Sequence, residues 1–330
     1  MCGRLGTMEQ TADARRKPVL FVLRALKLGD LLVAVPALHG LRRAYPDHRL
    51  VLGAPGWLDP IVRLVGGIDA LVPTPGLDDP IRLEPGITDI AVNMHGNGRE
   101  SRALIAQLDA RLRFQHAGSD ESGEWPDRDQ GEPRWLDGIH ERARWVRLVR
   151  AFGVPADENE VAIGRPAAPP PVASATVLHV GAFYGSRRWP ADRFADVARE
   201  LGLRGHRVVL TGGVAERERA ERIARLADLP GDAVLAGHTD LAQLAAVVAS
   251  ARLVVSADTG AAHLASAYAT PSVVLFGPAP PEEWGPPPGP HRVLTDARLR
   301  RGDAFSADPD PALLAVGVAQ VLEAVRELDG

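Results

Sequence analysis

The chain has 330 residues, 45% of them hydrophobic and 24% charged, with a formal net charge of −4. That length suits two domains of ordinary size, each able to bury a core, and the acidic balance argues against a general nucleic-acid binder, which carries a basic excess. The single cysteine, Cys2, excludes an intramolecular disulfide and a cysteine metal cluster. No apolar run approaches the ~18 residues of a membrane span, and Met1 to Lys17 lacks the apolar centre of a signal peptide. The expectation is a disordered leader over residues 1–17 and a cytoplasmic protein.

In chain order, Pro18 to Arg24 is an apolar run of strand length, Gly29-Asp30 breaks it, and Leu31 to Ala44 has helical periodicity. Arg49 to Leu52, Ala70 to Pro73 and Asp89 to Met94 read as strands. Asp59 to Leu64 and Ser101 to Arg111 read as helices. Such alternation implies a parallel sheet covered by helices. Gln115 to Gly138 is a polar loop or lid containing Trp125 and Trp135, and helical character resumes from Ile139 to Phe152. The run Arg165-Pro166-Ala167-Ala168-Pro169-Pro170-Pro171 then reads as an extended spacer. It divides a first domain, residues 18–165, from a second, residues 175–330, with a linker at 166–174.

Beyond the spacer, strands are expected at Thr176 to Val180, Arg207 to Thr211, Ala233 to Leu235, Leu253 to Ser256 and Ser272 to Phe276. Helices are expected at Ala191 to Leu203, Glu216 to Ala227 and Leu241 to Ser250. Asp310-Pro311 pairs an N-cap residue with proline at the first helical position and starts a last helix running to about Leu328, with the first domain as one place for it to pack.

The segment Asp258-Thr259-Gly260-Ala261-Ala262-His263 follows one of these strands and opens a helix-forming stretch. Free N–H groups and the positive end of a helix dipole would converge on Thr259 and Gly260, a favourable place for a diphosphate. His263 falls one turn later on the same face. The ordinary alternative is a capped helix with no ligand. Gly29-Asp30, Gly181 to Arg188, Gly212-Gly213 and Asp258 to His263 all follow predicted strands, so they can line one cleft between two domains, the usual position of a nucleotide ligand.

The stretch Val22-Leu23-Arg24-Ala25-Leu26-Lys27-Leu28-Gly29-Asp30-Leu31-Leu32, with Pro36-Ala37-Leu38, resembles the opening signature of glycosyltransferase family nine, the bacterial heptosyltransferases. Gly185-Ser186-Arg187-Arg188-Trp189-Pro190 resembles the family's phosphate loop. Gly212-Gly213 with Glu216 resembles its nucleotide loop, and Asp258-Thr259-Gly260 with His263 its pyrophosphate loop. The motifs occur in the family's order across most of the chain.

The resemblance implies an α/β fold of the GT-B type, two Rossmann-like αβα domains whose parallel sheets face each other across a cleft. It implies an acceptor-binding first domain, a second domain that holds an ADP-sugar, commonly ADP-heptose, and inversion without a metal or other cofactor. Asp30 is then the general base that takes the acceptor's proton; its other reading is the N-cap of a helix starting at Leu31. Arg187, where the family often has lysine, is the cation for the leaving diphosphate. Ser186 and Arg188 are expected at a phosphate, although Arg188 has solvent as an alternative, and Trp189 is expected to pack beneath the loop. Thr259, Gly260 and His263 are expected to donate to the diphosphate, and Asp258 to bind sugar hydroxyls unless it braces its own loop. Glu216 is expected at the ribose, or else as a solvated first-turn residue, and Thr239 at the base through its backbone.

Arg99, Arg102 and Arg142, with Arg111 and Arg113, flank the polar insert and are candidates for a charged acceptor, the plainer reading being a solvated face. Gly96-Asn97-Gly98-Arg99-Glu100-Ser101 lacks the last glycine of a dinucleotide fingerprint. Asp127-Arg128-Asp129 and Asp308-Pro309-Asp310 match the Asp-x-Asp metal motif only by coincidence. The expected activity is sugar transfer from an ADP-sugar to a hydroxyl or amine of a lipopolysaccharide-core or small soluble acceptor. No nucleic-acid partner and no membrane span are expected, and peripheral membrane contact stays open. A nucleotide-sugar epimerase and a non-catalytic nucleotide-sugar binder are the competing readings.

Overall fold

The computed structural model describes residues 17–84, 86–118 and 131–329; Cys2, Trp125 and Asp127-Arg128-Asp129 lie outside them. The first half runs β1 (Val19–Leu23), α1 (Leu28–Ala44), β2 (Arg49–Ala54), α2 (Asp59–Val65), β3 (Ala70–Pro73), β4 (Thr88–Asn93), α3 (Arg99–Gln107), β5 (Leu112–Phe114) and α4 (Glu141–Ala151). The second runs β6 (Thr176–His179), α5 (Ala191–Leu203), β7 (Val208–Thr211), α6 (Arg217–Ala227), α7 (Leu241–Ser250), β8 (Leu253–Ala257), α8 (Gly260–Ala267), β9 (Ser272–Leu275), α9 (Pro281–Trp284), β10 (His291–Leu294), α10 (Pro311–Leu314) and α11 (Val318–Asp329).

Each half forms a five-stranded sheet, ordered β3-β2-β1-β4-β5 and β10-β9-β8-β6-β7, and the strand pairings are parallel. β1 is buried along its whole length, as a central parallel strand covered on both faces must be. In both sheets the chain reverses its direction of growth beside the first strand laid down, β1 or β6. Ligands of open α/β sheets bind at that reversal, at the carboxyl ends of the strands.

Among the described residues, the three largest of four apolar clusters organise the packing. One covers the outer face of the first sheet through Leu104 and Ile105 of α3. A second covers the outer face of the second sheet through α5, α6 and α11. The third is continuous between the halves: Leu31, Leu38, Leu58 and Ile61 of the first share it with Val248, Val254 and Leu264 of the second. The halves are therefore joined by buried apolar surface as well as by the proline-rich connection.

Several sequence expectations need correction. α1 begins at Leu28, about one turn earlier than expected, so Asp30 lies within its first turn and not in a loop ahead of it. α3 stops at Gln107, and the next residues form edge strand β5, which is too short and too polar to show alternation. In place of a strand at Ala233 to Leu235, a 3-10 turn over Gly231–Ala233 leads to a single bridge, Leu210 to Val234, because Pro230-Gly231 opens the segment as a turn. The expected last helix is split around Gly317 into α10 and α11. α11 packs on α5, β9 and β10 of the second half, where the first half had been considered.

Candidate functional site

The first turns of α1 and α8 meet head to head. A Cβ on Gly260 would fall 2.7 Å from Leu28 Cδ2, and one on Gly29 would fall 2.8 Å from His263 Cδ2. Two glycines thus allow a contact that alanines would obstruct. Helix N-termini carry partial positive charge and unpaired N–H groups. Bringing two together is unfavourable unless an anion lies between or beside them, and each is a natural anion site.

Asp258, at the end of β8, organises the other charges. It is 3% exposed. Its Oδ1 lies 3.6 Å from His263 Nε2 and its Oδ2 3.4 Å from Arg187 Nη1, which also donates to the Asp258 carbonyl at 3.3 Å. Burial pushes the carboxyl pKa up, but the hydrogen bond from His263 and the charge of Arg187 outweigh it and hold the group below the ordinary aspartate value. The carboxylate that the sequence assigned to sugar hydroxyls faces two side chains, close to the bracing alternative. Arg187 Nε is buried without a hydrogen-bond partner, while the side chain as a whole is 26% exposed.

The loop that carries Arg187 is fixed from behind. Gly185 has no space for a side chain, since a Cβ there would fall 1.6 Å from the Ala307 carbonyl oxygen. Ser186 is buried; its Oγ donates to Ala304 O at 2.7 Å and its N–H to Ser306 O at 2.9 Å. This corrects the expectation of a phosphate-binding hydroxyl, because residues 304–306, which the sequence left unassigned, take it. Trp189 is buried as expected, with Nε1 donating to Val316 O at 3.0 Å.

Asp30 lies on the facing half. Its Oδ2 accepts from the Lys27 N–H at 3.2 Å, closing the first turn of α1, and its Oδ1 lies 3.6 Å from Arg24 Nη2. Arg24 is 1% exposed. Its Nε donates to the Asp30 carbonyl at 2.9 Å, its Nη1 donates to the Met94 carbonyl, its Nη2 lies 4.0 Å from Glu141 Oε2, and its guanidinium sits 4.6 Å from the centre of the Trp145 ring. His95, just beyond β4, has its pKa pushed down to about 4, first by burial and then by the Arg24 charge, with Asp30 opposing. A neutral imidazole and an anchored carboxylate therefore share this corner of the first half.

The remaining candidates separate. Glu216 Oε2 accepts from the Gly213 N–H at 2.9 Å, and its Oε1 lies 3.9 Å from Arg188 Nη2. Arg188 also donates from Nε to Ala182 O at 3.2 Å, so it is held at the loop while its side chain stays 45% exposed, in keeping with the solvent alternative. Thr259 caps α8 with extended backbone, while its Oγ1 pairs with Ser256 Oγ at 2.9 Å. Thr239 Oγ1 donates to Leu235 O at 3.4 Å, which leaves its side chain within its own turn.

Of the proposed acceptor arginines, Arg99 is exposed. Arg102 donates to the His116 carbonyl and lies 3.7 Å from Glu132. Arg142 is buried, and its Nη1 donates to Gly285 O at 2.8 Å, joined there by His140 Nε2 at 3.0 Å. It braces the two halves and does not present its charge to an acceptor, a correction of the solvated-face picture.

A family description, glycosyltransferase family 9 (heptosyltransferase), matches residues 157–297. Over those residues, under half of its length, the chain is similar to glycosyltransferase family 9. It is 32% identical over 158 residues to lipopolysaccharide heptosyltransferase 2 of Escherichia coli K12, covering 45% of this chain and 44% of that protein. With lipopolysaccharide heptosyltransferase 1 of Pseudomonas aeruginosa it is 40% identical over 126 residues, covering 38% and 33%. The matched stretch thus spans less than half the length of these curated relatives. In fold the chain is similar to the ADP-heptose lps heptosyltransferase II of E. coli, at a TM-score of 0.71 and 20% identity over 94% of this chain and 98% of that one. The E. coli heptosyltransferase WaaC with ADP gives 0.69 at 18% identity, over 94% and 99%. The fold is GT-B.

Sequence reasoning passed over the roles of Arg24, Lys27, His95, Glu141 and Trp145, all near Asp30 or the loop that faces it. One signal was available. An arginine ending an otherwise apolar, fully buried strand is costly unless partnered, so Arg24 by itself marked a buried charge network.

Proposed function

We propose that this chain is an inverting glycosyltransferase that moves a sugar, heptose by the family resemblance, from an ADP-sugar to a hydroxyl of a lipopolysaccharide-core acceptor. The observation that carries the reading is the meeting of the α1 and α8 N-termini beside Arg187, with the Asp30 carboxylate in the first turn of α1. The names of the relatives support the donor and acceptor classes: two are lipopolysaccharide heptosyltransferases, and one similar structure is described with ADP.

In this reading the diphosphate rests on the N–H groups of Gly260 and Ala261 and on the part-exposed guanidinium of Arg187, while Asp258 holds Arg187 and His263 in place. Asp30 accepts the proton of the acceptor hydroxyl. The oxygen attacks the anomeric carbon, and the bond from that carbon to the diphosphate oxygen breaks on the opposite face, releasing ADP. Fixed donors aimed at the diphosphate stabilise the charge that develops as the bond breaks. Transfer proceeds without a metal, because the same donors perform the charge neutralisation. No described helix is long and apolar enough to cross a membrane.

The test is incubation with ADP-heptose and a delipidated lipopolysaccharide-core acceptor, following ADP release and product mass, with and without EDTA. Transfer with inverted configuration that EDTA leaves intact is expected. Conversion of the donor with no acceptor consumed would establish an epimerase instead, and donor binding with no turnover would establish a binding protein.

A further inference from the structure

Three consecutive residues of the first half touch both donor loops of the second. Leu28 meets Gly260 and Gly29 meets His263. Lys27 reaches the loop ahead of Arg187: its Nζ lies 3.2 Å from the centre of the Phe183 ring and 4.4 Å from that of Tyr184. Phe183 is 73% exposed. Lys27 is exposed too, and its backbone N–H, not its amine, is the group that Asp30 engages.

We propose that Lys27 is a diphosphate-binding cation supplied by the first half, parked on Phe183 and Tyr184 until the ligand arrives. This rests on the donor site described under Proposed function. A cation over a ring face in water is weakly held, whereas an ammonium on a phosphate oxygen makes a charge-assisted hydrogen bond. The rings orient the amine without competing strongly for it. Lys27 caps α1, three residues before Asp30, and Phe183 precedes Arg187 by four, so a diphosphate at the α8 N-terminus lies between two cations from opposite halves. Arg187 is already engaged by Asp258, which offsets part of its charge. The Lys27 amine has no carboxylate within ion-pair distance among the described residues and contributes its full charge. The ligand class is a nucleoside diphosphate or its sugar ester, and its binding draws the two halves onto one anion.

Calorimetry with ADP and with adenosine tests this on the full chain, using Lys27→Met, Lys27→Arg and Arg187→Ala. Lys27→Met keeps the aliphatic stem on the rings and removes only the charge. It is expected to weaken ADP at least about tenfold, with adenosine unchanged and Lys27→Arg within about threefold of the parent. An unchanged ADP affinity in Lys27→Met, while Arg187→Ala weakens it, would overturn the role of Lys27 and leave the donor site standing. An equal loss for adenosine would also overturn it, since the effect would then be a general disturbance of the site. An unchanged ADP affinity in Arg187→Ala would remove the donor site itself.

Discussion

Gly29 of α1 and His263 of α8 touch across the two halves of the molecule, and the space between them is smaller than a methyl group. Replacing Gly29 by alanine would ordinarily favour a helix by about 0.5–1 kcal/mol. Here the added carbon must push His263 away from Asp258 or move the halves apart. Gly29→Ala is expected to weaken ADP binding about tenfold or more while the thermal midpoint does not fall. Unaltered ADP affinity would show that the contact is incidental to the ligand.

Asp30→Asn preserves the size of the side chain and an oxygen able to accept from the Lys27 N–H, so the first turn of α1 stays closed. It removes the proton acceptor. Turnover should fall by about 10²–10⁴-fold, the usual contribution of a general base, with ADP affinity unchanged. Stopped-flow or coupled measurement of ADP release gives the first quantity and calorimetry the second. Parallel loss of both would assign Asp30 to folding of the site.

Arg24→Met should be among the more destabilising single changes. It leaves the Met94 and Asp30 carbonyls without their donor and removes the cation between Asp30 and Glu141. A loss of about 3 kcal/mol in urea unfolding is expected, the scale for breaking a buried charge pair. A change below about 0.5 kcal/mol would mean that the network contributes orientation but not stability.

Stability should fall as the pH drops below neutrality. His95, His140, His179 and His291 have pKa values pushed down to about 4, and His116 to about 3, with burial the first cause in each. In the unfolded chain these groups take protons near pH 6.5. Between about pH 6.5 and 4 the unfolded state therefore binds protons that the folded state refuses, and the equilibrium shifts toward unfolding. Above about pH 7 both states are neutral at these sites and the dependence disappears. Urea midpoints at pH 7.5, 6 and 5 should decline in order. His140→Gln should reduce the slope by about one proton's worth at most; a flat profile down to pH 5 would contradict the buried, neutral assignment.

Much of the fold was legible because parallel strands buried on both faces are written as uninterrupted apolar runs. Val19–Leu23 and Leu253–Ala257 stand out on that basis, and α5 and α7 have the limits read from periodicity and punctuation. What escaped was set by long-range partners. β5 and β10 are short edge strands whose extended form depends on β4 and β9. Ser186 reads as a phosphate ligand in its own loop, and only the distant Ala304 carbonyl shows where its hydroxyl goes. Arg142 looks like surface charge until Gly285 folds over it. Asp30 was recognised through its motif, but the helix start was misplaced because Leu28-Gly29 reads as a loop unless the Asp30 carboxylate is seen to accept from the Lys27 N–H one turn back.

The apolar cluster that runs from Leu31 and Leu58 through to Val248 and Leu264 bears on how the polypeptide can be divided. Cleaved at the proline-rich connection, each fragment would present a greasy stripe to solvent, and both would precipitate or re-associate. The intact protein should accordingly melt in one calorimetric step, and any swing of its lobes must pivot about that shared seam, with the prolines acting as a tether.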